Sequence, residues 1–121
     1  MNHTLKSFAL VLGSCLVMAA SASASPSRLV GRQLFQQDCI ACHHADGSGG
    51  VHFGHGVVSA DLRAPGLEAT YRHNDALIVR AIRFGKDESG EPLDRPMPHW
   101  HKVLSVAQAQ DIVAYLHTLK R

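Results

Sequence analysis

Apolar residues fall along this chain in four blocks of different spacing, and each block predicts a different element. The first is nearly continuous, from Phe8 to Ala20, and is shorter than the about 20 residues that a membrane span requires. The second has helical spacing: Val30, Gly31, Leu34 and Phe35 form an i, i+4 stripe that predicts a helix over about 28–38 with Ser27 as its N-cap. In the third, Leu77, Ile78, Ala81 and Ile82 predict the inward face of a helix from Asp75 to Phe84, capped by Asn74 and stopped by Gly85. The fourth block gives the clearest signal. Ala109, Ile112, Val113, Leu116 and Leu119 share one face, with Gln108, Asp111 and Lys120 off it. Ser105 and Gln108 make a capping box, Leu104 and Ala109 can staple the first turn, and Lys120 and Arg121 suit the negative end of the dipole.

The intervening segments are polar or broken. Gly47 to Gly56 is glycine-rich and predicts a loop, and Lys86 to Pro98 carries three prolines and a glycine that exclude regular structure. No strand alternation and no internal repeat are visible. The expected architecture is small, all-α and rich in loops, with the two terminal helices as the natural packing pair.

Lys6 before the Phe8–Ala20 run, and Ala22-Ser23-Ala24 after it, give the three parts of a secretory signal peptide. The expected division is therefore a cleaved leader over 1–24 and a single domain over 25–121. Leu12-Gly13-Ser14-Cys15 loosely resembles a bacterial lipoprotein box, which would make lipidation at Cys15 the alternative to plain cleavage. Without the leader, eleven basic residues face ten acidic ones, a net charge of +1, which favours neither nucleic acid nor an acidic membrane surface. A domain of this size has a thin hydrophobic margin. A bound apolar group would enlarge its core.

Chemistry is concentrated at Cys39-Ile40-Ala41-Cys42-His43. The C-x-x-C-H spacing reads as c-type haem attachment, with Cys39 and Cys42 forming thioethers and His43 as the proximal iron ligand. A dithiol redox pair would sit between a strand and a helix, and no such pattern surrounds this motif. Structural zinc would need two more ligands; His44, His52 and His55 are near, but no second cysteine pair follows. In an oxidising compartment the two cysteines would be either a disulfide or haem thioethers.

With these residues in view, the chain resembles the class I c-type cytochrome family. Gly31-x-x-x-Phe35-x-x-x-Cys39-x-x-Cys42-His43 is similar to the family's first helix and haem motif, and Asp111-Ile112-Val113-Ala114-Tyr115-Leu116 to its last helix. The resemblance implies a small cytochrome c-like fold with crossed N- and C-terminal helices, a middle helix and long haem-wrapping loops. Gly31 would then allow a close helix crossing, with Phe35 near Ile112 and Tyr115. It also implies a sixth ligand from the Met-Pro loop. With Met1 and Met18 in the leader, Met97 is the methionine left, in Arg95-Pro96-Met97-Pro98, and sulfur ligation raises the haem potential.

His99 and His101 are rival ligands, and the other histidines, His117 among them, read as surface groups. Gly49, Leu62 and Tyr71 fall where the family covers the haem edge, Trp100 follows the ligand loop as an aromatic often does there, and Arg63 is a candidate partner for a propionate. The family's proline soon after the motif is missing; Pro65 is the nearest, so the acceptor of the His43 ring proton is left unspecified.

The function implied is that of a periplasmic electron carrier with one covalently bound haem c, iron held by His43 and Met97, and no enzymatic role. Partners would be transient redox proteins, such as a dehydrogenase or terminal oxidase complex. Membrane association would come only through them or through a lipid on Cys15. A haem catalyst or sensor with a labile sixth ligand, and a zinc or dithiol module without haem, are the alternatives.

Overall fold

The computed structural model describes residue 19 and residues 23–121, so the Phe8–Ala20 run, save Ala19, and Cys15 lie outside the described residues. Helix α1 spans Arg28–Asp38 and begins where the Ser27 side chain accepts a hydrogen bond from the Val30 amide. The single turn α2, Ile40–His43, follows directly. A two-stranded antiparallel hairpin, β1 (His52–Gly54) and β2 (Val57–Val58), precedes the short α3 (Gly66–Thr70). Helix α4 spans Asp75–Phe84, a 3-10 turn covers Trp100–Lys102, and α5 spans Val106–Leu116. No helix among the described residues is long and apolar enough to cross a membrane.

The close packing of α1 on α5 organises the core. At Gly31 the helices approach so nearly that a Cβ would overlap the Asp111 carbonyl. The Ser27 amide donates to Asp111 Oδ1 at 2.6 Å and fixes the start of α1 on the same residue. One turn on, Phe35 is fully buried and meets Tyr115 with ring centroids 5.4 Å apart, a tilted aromatic geometry that suits the ring quadrupoles. Helix α4 packs against α5 and the 3-10 turn, adding Ile78, Ala81 and Ile82 to the same core.

Helix α5 opens with both halves of the capping box: the Gln108 amide donates to Ser105 Oγ, and the Ser105 amide to Gln108 Oε1. It ends sooner than the apolar face predicts. Leu119 lies beyond the helix because its carbonyl accepts from the Ala64 amide at 2.8 Å, which draws the C-terminal segment toward α3. The hairpin is the other departure from the sequence expectation. His55 and Gly56 both have positive φ, the backbone that a tight two-residue hairpin turn demands.

Candidate haem site

Cys39 ends α1 and starts α2: its amide donates to the Phe35 carbonyl, and its own carbonyl accepts from the Cys42 and His43 amides. The motif is thereby coiled into one helical turn, which puts Cys39 and His43 on a shared face. Both cysteines are free thiols and half-buried, so the disulfide alternative is not formed. Burial above all, then the charges of Asp38 and Cys42, pushes the Cys39 thiol up to about 12. Redox-active C-x-x-C thiols are shifted the other way. Among the described residues no group of three or more His, Cys, Asp or Glu could hold a metal ion.

His43 is buried, 8 % exposed. Its Nδ1 lies 2.9 Å from the Ala60 carbonyl oxygen. A carbonyl can only accept, so Nδ1 carries the proton and the Nε2 lone pair is available to iron. Burial lowers the His43 pKa; the Ala60 hydrogen bond opposes that shift and the neighbouring His44 adds to it. The ring is thereby held neutral, the form that binds metal. The sequence could not identify Ala60, because a backbone carbonyl has no residue signature.

The hairpin carries Ala60 to this position. Gly49, at φ +62°, donates its amide to the His43 carbonyl at 3.0 Å, and a Cβ on it would strike the Ala60 and Ser59 carbonyls. Only glycine suits both the left-handed backbone and the close approach. Leu62 packs on the core while Tyr71 is part of it.

Met97 comes from a different segment, the loop between α4 and the 3-10 turn. It is half-buried, and with Arg95, Pro96, Pro98 and His99 it lines a cleft of about 380 Å³. Of the rival imidazoles, His99 lines the same cleft as Met97, and the buried Nδ1 of His101 has no hydrogen-bond partner. The His99 ring occupies the space that a Cβ on Gly85 would need, and His101 stacks on Phe84 at 5.3 Å.

The chain matches the family model described as cytochrome c over residues 30–120. It belongs to the cytochrome c family. Searches of curated proteins and of solved structures each returned no match. Membership makes this a haem-binding cytochrome, with haem c covalently bound and iron at its centre. The residues fit the group: two unbridged thiols share a turn with a buried imidazole whose free nitrogen is Nε2.

Two polar groups near the surface have partners within the chain. Arg63 is engaged by a carboxylate of the chain itself, its Nε and one terminal nitrogen each 3.0 Å from an Asp61 oxygen. Arg121 reaches the same carboxylate at 3.1 Å. The Arg63 hydrogen bond, opposed by some desolvation, holds the Asp61 carboxyl well below the usual range. His117 is not an isolated surface group either. Its Nδ1 lies 2.6 Å from Glu68 and its Nε2 2.9 Å from Asp75, so it ties the end of α5 to α3 and α4.

Proposed function

We propose that this cytochrome is an exported, monohaem electron carrier, with haem attached through Cys39 and Cys42 and iron held between His43 and Met97. The observation that carries this reading is the 2.9 Å link from His43 Nδ1 to Ala60, which fixes the tautomer and orientation of a buried imidazole. Haem c, when bound, supplies a one-electron ferric/ferrous couple. The chain's task is to keep the same two ligands in both oxidation states and to exclude water. His43 is suited to this because its ring is buried and its second nitrogen is tethered. Prolines on both sides of Met97 restrict the loop that presents the sulfur. Membership of the cytochrome c family, whose Met-Pro loop supplies the sixth ligand, favours Met97 over His99 and His101.

The partners proposed are transient redox proteins of the periplasm or membrane, such as a dehydrogenase or terminal oxidase complex. Docking would be through a small interface, without nucleic acid, and membrane association would come only through these partners or through a lipid on Cys15. The test is to express the full chain in a bacterium competent for haem attachment. The protein should collect in the periplasmic fraction, keep its haem stain through denaturing electrophoresis and contain one haem per chain. Added carbon monoxide should leave the ferrous spectrum unchanged. A haem-free band would overturn the reading, and ready binding of carbon monoxide would favour a catalyst or sensor.

A further inference from the structure

Helix α2 is a single turn, so its carbonyls lack partners further along the helix. The Cys42 carbonyl finds one in Ser59, whose Oγ donates to it at 2.7 Å. The same Oγ accepts from the Val51 amide at 2.9 Å. The Ser59 backbone is engaged as well: its amide donates to the Val51 carbonyl, and its carbonyl accepts from the Gly50 amide, both at 2.9 Å. The hydroxyl therefore joins the hairpin to the haem-binding turn, while the backbone bonds to Gly50 and Val51 close the base of the hairpin on itself. The next carbonyl in the chain, that of Ala60, takes the His43 ring proton. The Ala60 side chain is exposed, so its carbonyl is held through the backbone, by the bonds of Ser59 beside it and the close approach of Gly49.

We propose that Ser59 is the positioning residue for the proximal ligand: it holds the Ala60 carbonyl on His43 Nδ1 and so contributes to the redox potential of the iron. This rests on the reading of His43 as an axial ligand. A well-aligned acceptor at Nδ1 makes the imidazole a stronger donor through Nε2, and a stronger donor favours the ferric state. Burial of the ring strengthens the hydrogen bond further. A hydroxyl that fixes the acceptor therefore lowers the potential, and its loss raises it.

Ser59→Thr and Ser59→Val separate the hydroxyl from side-chain shape, since the two replacements are nearly isosteric. In protein matured with haem, Ser59→Thr should keep a potential near that of the parent. Ser59→Val should raise it, so that the oxidised-to-reduced ratio at a fixed applied potential falls about fivefold, the equilibrium equivalent of one net hydrogen bond. Proton exchange at the His43 ring should quicken in Ser59→Val alone. In the unaltered protein the His43 ring proton and the Val51 amide should be protected to a similar degree, because one clamp closes over both. A ring proton far less protected than the Val51 amide would overturn the proposal even if Ser59→Val failed to fold. So would Thr and Val variants that differ in thermal stability but share one potential. A parent protein without a histidine-ligated low-spin haem would instead overturn the ligand reading itself.

Discussion

The Asp111 carbonyl oxygen fills the space that a side chain at Gly31 would need. Both partners are helix backbone, so neither can yield without moving an axis. Gly31→Ala would gain about 1 kcal/mol in helix propensity, but overpacking at a rigid contact costs about 1–3 kcal/mol. Separating α1 from α5 would also strain the Ser27–Asp111 hydrogen bond and the Phe35–Tyr115 contact. The expected result is a lower denaturation midpoint, read by urea unfolding. A midpoint equal to or above the parent's would show that the helices do not meet as described.

His117 gives the fold a pH dependence of definite sign. Partial burial opposes its protonation, but hydrogen bonds to Glu68 and Asp75 and the charges of both prevail, and its pKa is raised above 6.5. Stabilisation from His117 is therefore complete below that value and is lost as pH rises through the folded-state pKa. Glu68 is shifted down, chiefly by its hydrogen bond to His117. Its share is present above about 4.5, the ordinary glutamate value, and is lost as pH falls through the folded pKa. The groups are partly exposed, so the effect should be about 1 kcal/mol or less. Thermal midpoints measured across the neutral range should decline toward alkaline pH, and His117→Gln should flatten that decline. An unchanged slope would remove His117 as its cause.

Each cysteine should hold the haem through its own bond. In Cys39→Ala or Cys42→Ala, intact mass after denaturation should show haem loss or a sharply reduced attached fraction, and the double replacement should show none attached. Full attachment in the double replacement would mean that the haem is fixed elsewhere.

The sequence was most legible where signals are local. Ser27, Asn74 with Gly85, and Ser105 with Gln108 mark helix boundaries by cap chemistry within a few residues, and the structure starts α1, α4 and α5 there. Gly31 and Phe35 were legible through the family pattern. Long-range backbone pairing was not. Leu119 continues the apolar face of α5, yet its carbonyl pairs with Ala64. Strands of three and two residues are too short to show alternation; the available signal was Val57-Val58 after a His55-Gly56 turn. Ala60 acts through a main-chain carbonyl, and the partners of His117 lie on other helices, so neither role has a sequence spacing.

The most direct test concerns Met97. Ferric protein matured with haem should show the weak long-wavelength sulfur-to-iron charge-transfer band. Met97→Ala should abolish it and lower the midpoint potential while leaving the haem attached, because thioether ligation raises the potential. Absence of the band in the parent, or an unchanged spectrum and potential in Met97→Ala, would contradict the His43/Met97 assignment and move the sixth ligand to His99 or His101.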